Sequence, residues 1–344
     1  MYKPRMRHLI RTLVYIAATG IFMSQVSAEV YTEVRDSAVL EIAQHVWSNE
    51  FAEALNGAEQ LMSAEPDNPL GYFLKGTIYQ TISEEFRNDR YKDTIDLLLT
   101  DAITRAEQLH DTDPENANWR FISGASYGYR ALQRAFHGRW FKAFRDGLRC
   151  SSHLRNALEL DSTFYDAYVG LGAYNYYKTV MAEGFLWLPF VSDRRAEGIG
   201  QIQKTIDHGF LASYNARESL LRIYFSEERY EDAVALADSL ERGNANDPYC
   251  LLLLAQSLMY LDRLEEATVK LRVLRQVWKK SPYFDDIGFF ELELVDAKVF
   301  YRDGDLETAR RITDKILSLK GLRDENSYFA ETYDSTKVFI KLLK

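Results

Sequence analysis

Residues 214–282 read YNARESLLRIYFSEERYEDAVALADSLERGNANDPYCLLLLAQSLMYLDRLEEATVKLRVLRQVWKKSP, and two echoes run through them. The YEDA at 230–233 returns as LEEA at 264–267, and the NDP at 246–248 is answered by KSP at 280–282, each 34 residues on. A fixed period in this range, with a small residue (Ala233, Ala267) inside each second helix, is the signature of stacked helical hairpins.

Upstream the period changes. Gly76, Gly124 and Gly172 are spaced by 48 residues, as are Ala102, Cys150 and Gly198, and Tyr72, Arg120 and Tyr168. The excess of 14 is about two helical turns in each of two helices, which leaves a buried stripe on the same face. Residues 69–212 are therefore expected to form three enlarged hairpins, with breaks near Asn88-Asp89 and at His137-Gly138. In the third, the connection 184–191 contains Pro189 and reads as a longer loop, ending on Ser192 or Asp193 as helix cap. Ahead of them, a helix near 37–48 has Val39, Ile42, Val46 and Trp47 as its inner stripe. Phe51, Ala54, Ala58 and Leu61 mark the helix that follows. At the far end, 326–343 reads as a closing helix with Phe329, Phe339 and Leu343 inward.

The 34-residue spacing, the small residues at Gly76, Ala102 and Ala106, and the ALELD at 157–161 resemble the tetratricopeptide repeat. That resemblance implies an all-α solenoid of about seven units and a role in binding other proteins. The order it implies is repeats over 29–322 and a capping helix over 323–344. A second resemblance covers about 117–285: GLGAYNYY at 170–177 followed by DRRAEG at 193–198 is similar to exported bacterial repeat proteins.

Residues 1–28 read as a secretory signal. Lys3, Arg5, Arg7 and Arg11 make a basic start, 12–23 is a short apolar run, and Val26-Ser-Ala28 offers the small residues that a signal peptidase accepts. The run is short for a membrane span. No cysteine near the cleavage point offers a lipid attachment site. The expected address is outside the cytoplasm, periplasmic or otherwise extracytoplasmic. Without 1–28 the chain has 38 basic and 51 acidic residues, a formal charge of −13. A field of that sign disfavours nucleic acid as a partner. Cys150 and Cys250 fall in repeats that are not neighbours, so two buried thiols are expected rather than a bridge.

Catalytic signals are thin. The GASYG at 124–128 matches the G-x-S-x-G elbow, a motif that needs a strand before the serine, whereas its flanks here are helical. There is no H-x-x-x-H pair, no metal-type spacing at either cysteine and no glycine-rich phosphate loop, so no cofactor or metal is expected and the chain reads as a non-enzyme.

Two constellations stand out. Arg120, Arg130, Arg134, Arg139, Lys142, Arg145, Arg149 and Arg155 lie within 117–155 against a single acid, Asp146. They either pair with neighbouring acidic helices or line a groove for an anionic ligand such as a peptide carboxylate, an acidic segment or a lipid head group. The second is aromatic: Tyr174, Tyr177, Phe185 and Trp187 belong to a crowd of rings over 164–190. The apolar 184–190 either folds back onto the helices or anchors a partner or membrane surface. The leading expectation is an adaptor whose concave face holds a protein or peptide. The alternative is a module for lipid or an envelope polymer, using the basic island and the apolar loop 183–190 with peripheral membrane contact.

Overall fold

A computed structural model describes residues 33–185, 192–209, 212–241 and 246–343. The leader at 1–28, Trp187 and most of the apolar loop lie outside the described residues. Among those described there are fifteen α-helices and short 3-10 turns, and no strand. The fold class is all-α, a solenoid of the tetratricopeptide type.

In chain order the helices form seven helix–turn–helix pairs: α1 (Glu33–Trp47) and α2 (Phe51–Ala64), α3 (Pro69–Glu85) and α4 (Lys92–Thr112), α5 (Ala117–Phe136) and α6 (Trp140–Leu160), α7 (Ala167–Met181) and α8 (Arg195–His208), α9 (Ser213–Ser226) and α10 (Tyr230–Glu241), α11 (Pro248–Tyr260) and α12 (Leu264–Lys280), α13 (Phe289–Asp303) and α14 (Leu306–Ser318). Helix α15 (Ser327–Phe339) closes the chain.

The turns explain the repeat. Asn49, Gly138, Glu228, Asp262 and Gly304 all take a left-handed backbone, and each stands two residues before a second helix. A left-handed residue lets the chain leave one helix and reverse within a few residues. Glu228 and Asp262 are themselves one 34-residue period apart. First helices start on prolines and polar caps. Pro69 and Pro248 open α3 and α11, where a missing N–H costs nothing. The Asp247 carboxylate accepts from the Cys250 N–H at 2.8 Å, and the Asn116 side chain accepts from the Asn118 N–H at 3.1 Å.

The 48-residue glycines sit where the two helices of a pair cross. A Cβ at Gly76 would meet Leu98 and Leu99, and one at Gly124 would stand 2.9 Å from Leu154. At Gly172 and Gly198 the backbones themselves touch, since a Cβ on Gly172 would lie 2.5 Å from the Gly198 carbonyl oxygen. Helices α4, α5 and α6 run for 20 or 21 residues, as the enlarged period implies. In the third unit α7 and α8 have 15 and 14 residues, and the expected longer connection at 184–191 lies for the most part outside the described residues.

The chain divides into two compact units. The first comprises residues up to 81 and 92–226; its core sets Phe73 edge-on to Tyr129 and Phe121 tilted against Phe164, with ring centroids 5.9 and 4.6 Å apart. Val39, Ile42 and Ala43 bury the inner stripe of α1, while Val46 and Trp47 are half-buried, Trp47 lying 6.0 Å from the Tyr214 ring.

The second unit comprises 82–91 and residues from 227 onward. Phe329, Tyr333, Phe339 and Leu343 close over Leu294, Ala297, Ala309 and Ile316 of α13 and α14. The break at Asn88-Asp89 is built into this unit. The Asn88 amide donates to the Tyr283 carbonyl at 3.1 Å, the Ser327 N–H donates to Asp89 at 2.7 Å, and the left-handed, buried Arg87 pairs with Glu291. Both cysteines are buried thiols outside any disulfide.

Candidate functional site

The basic island separates into an inner and an outer part, and helical phase decides which residue goes where. Asp146 faces inward from α6 and is fully buried. Its carboxylate accepts from Arg130 Nε at 2.9 Å and Nη2 at 3.1 Å, and from Arg134 Nη1 at 2.6 Å. Arg134 also donates from Nε to Asp96 at 2.8 Å, and Arg130 donates from Nη1 to the Thr100 hydroxyl at 2.9 Å. Burial works against the Arg134 charge, but the hydrogen bonds to Asp96 and the Asp146 charge outweigh it and raise its pKa. Two arginines thus face two carboxylates inside the α4–α5–α6 packing.

Arg120 and Arg149 lie along a second chain. The Arg149 guanidinium donates to the Tyr127 hydroxyl at 2.8 Å, and that hydroxyl donates to Glu107 at 2.8 Å. Burial, followed by the Glu107 hydrogen bond, pushes the Tyr127 hydroxyl up. Arg120 lies 3.4 Å from His153 Nδ1, and burial followed by the Arg120 charge lowers the His153 pKa. Arg139, Lys142, Arg145 and Arg155 are exposed. Arg139, Lys142 and Arg145 have no ion-pair partner among the described residues.

The aromatic candidates disperse. Tyr174 is half-buried beside Gly147 and beneath the Lys178 ammonium, 5.6 Å from its ring centre. Tyr177 is half-buried edge-on against Tyr176 at 4.7 Å. Phe185 ends a short 3-10 turn, Glu183–Phe185.

The G-x-S-x-G stretch is helix packing. Ser126 is buried in the middle of α5. Gly124 and Gly128 open that face so that Leu154 and the Cys150 sulfur of α6 can approach, the sulfur 3.1 Å from where a Gly128 Cβ would stand. Burial, followed by the Asp146 charge, pushes the Cys150 thiol up to about 12, so it is no nucleophile. Among the described residues no group of three His, Cys, Asp or Glu side chains is placed to hold a metal ion. None of the described helices is long and apolar enough to cross a membrane.

Two features escape a motif search. On α9, Asn215, Glu218, Ser219 and Arg222 occupy i, i+3, i+4 and i+7, and all four are buried. One 34-residue period later the same positions are Tyr249, Leu252, Leu253 and Gln256. Asn215 Oδ1 is enclosed with no hydrogen-bond partner among the described residues. The signal was present in the sequence as a polar stripe at helical spacing where its neighbour repeat is apolar. The other feature is on α6, where Trp140, Phe141, Phe144 and Leu148 are exposed between the outer cations.

No protein-family model matches this sequence, and no curated protein matches it. Among solved structures the chain is similar to YrrB, described as a tetratricopeptide-repeat protein with an unusual peptide-binding site, at 16% identity and a TM-score of 0.41 over 61% of this chain and 89% of that one. It is similar to a thermophilic tetratricopeptide-repeat protein of Thermus thermophilus at 12% identity and a TM-score of 0.43, over 65% of this chain and 98% of that one. A tetratricopeptide-repeat protein from Parabacteroides merdae is 14% identical with a TM-score of 0.39, over 89% of this chain and all (100%) of that one.

Proposed function

We propose that this protein is a non-catalytic scaffold that holds a protein or peptide partner, outside the cytoplasm, on the concave face of its helical repeats. The succession of helix–turn–helix repeats is the observation that carries this reading, since stacked hairpins of this kind leave an extended surface along which a polypeptide can lie.

Selection of random displayed peptides on the full chain tests the proposal. Enrichment of peptides that share a short motif is expected. Failure to enrich any peptide contradicts it. The address rests on residues 1–28, and protein recovered from the cell envelope is expected to begin at Glu29; an intact Met1 there contradicts cleavage.

A further inference from the structure

Helix α6 turns Ala143, Asp146, Cys150, Leu154 and Ala157 inward. Its other side is unusual for a helix of an acidic protein. Trp140, Phe141, Phe144 and Leu148 are 41, 81, 54 and 44% exposed. At 100° per residue these four fall within an arc of about 100°, and Arg145, Arg149 and Lys142 take roughly the next 60°. Arg139 stands at the N-terminus of the same helix. Between 139 and 149 the one acid, Asp146, faces the opposite way and is engaged by Arg130 and Arg134. The outer face of α6 is thus an apolar ridge with a cationic flank, on a chain whose formal charge is −9.

We propose that this face docks the protein on an anionic phospholipid surface. Charge selects the occupant: a chain that is acidic elsewhere presents here a strip with cations alone, complementary to lipid phosphates. Shape selects it further. Partners of defined shape are held by anchors set in packed pockets, whereas Phe141 projects almost fully from a helix. A fluid interface conforms to such a ridge, and Trp, Phe and Leu beside Lys and Arg are the side chains of helices that lie in the plane of a bilayer surface. This inference is independent of the scaffold reading, and either can fail alone.

The two native thiols are buried, so Phe141→Cys in the full chain provides a single reactive site for an environment-sensitive fluorophore. Vesicles of phosphatidylcholine with three-tenths phosphatidylglycerol are the probe, with pure phosphatidylcholine as reference. A blue shift and brightening of the fluorophore on the anionic vesicles is expected. In the otherwise unaltered chain, co-sedimentation with these vesicles is expected to weaken at least tenfold in R139E/K142E/R145E and in F141S/F144S. These exposed positions leave the helical signal and melting temperature unchanged, so a loss reads as docking. The label at 141 separates this face from any lipid contact made by residues 1–28. An unmoved fluorophore, or a charge-reversed variant that still sediments, overturns the proposal. A response to poly-L-glutamate but not to vesicles also overturns it, and assigns the face to an acidic polypeptide.

Discussion

Arg130 meets Asp146 side-on, with Nε 2.9 Å from Oδ2 and Nη2 3.1 Å from Oδ1, and Asp146 has no exposure to solvent. A third bond from Arg134 makes this carboxylate the electrostatic centre of the α4–α5–α6 packing. Removing one partner of a buried pair leaves the other, here Arg130, charged and without its counter-ion, at a cost of about 3–5 kcal/mol. Asp146→Asn is therefore expected to lower unfolding free energy by that amount in urea titrations. Asp96→Asn, whose side chain is 30% exposed, is expected to cost only about 1 kcal/mol. Equal losses would contradict the inner placement.

Helices α7 and α8 cross backbone on backbone. A Cβ on Gly172 would stand 2.5 Å from the Gly198 oxygen, and no rotamer change relieves a clash with main chain. Gly172→Ala is expected to destabilise by about 1–3 kcal/mol, as overpacking does. Gly200, two residues beyond Gly198 on the same helix, is exposed, and a Cβ there meets nothing within 4 Å. Gly200→Ala is expected to stabilise by about 0.5–1 kcal/mol. Thermal melts of the two variants should shift in opposite directions.

Glu85, at the end of α3, is buried, and burial together with the Asp247 charge raises its pKa well above the ordinary range near 4.5, against the pull of Arg87. The folded state then holds this proton more tightly than the unfolded chain does. Its contribution is most favourable below about pH 4.5 and is lost as pH rises through the raised value. Glu85→Gln removes that loss, so the variant is expected to melt above the wild type at pH 7–8, with the gap closing toward pH 4. Parallel curves across that range would contradict the assignment.

Cys150 is packed under Gly128, and the Cys250 sulfur lies 3.7 Å from the Ala237 carbonyl oxygen. Neither thiol is expected to react with a disulfide reagent in the native protein, and both are expected to react once it is unfolded in guanidinium. A colorimetric thiol count before and after denaturation checks this, and a fast-reacting native thiol would contradict it.

The repeat was legible in the sequence because it is local. Ala233 and Ala267, or Gly76, Gly124 and Gly172, mark crossings between helices adjacent along the chain, and the small side chain recurs wherever the crossing does. The pairings of the basic island were less so. Between 117 and 155 it shows one acid, and the second carboxylate, Asp96, enters from the preceding hairpin, 38 residues before Arg134. Asn88-Asp89 was recognisable as a break from its turn residues. Its lodging in the second unit depends on contacts such as Arg87 with Glu291, 204 residues apart, which no local pattern encodes. The α6 ridge was hidden for another reason. Trp140, Phe141, Phe144 and Leu148 have the spacing of a core stripe, and only the packing of Ala143, Cys150 and Leu154 shows that the core lies on the other side.

Hydrogen–deuterium exchange of the full chain, with and without a peptide obtained by display selection, tests the scaffold reading most directly. Slowed exchange in consecutive repeat helices is predicted on peptide binding, with the outer face of α6 unchanged. Exchange unaltered throughout the repeats would contradict the scaffold reading.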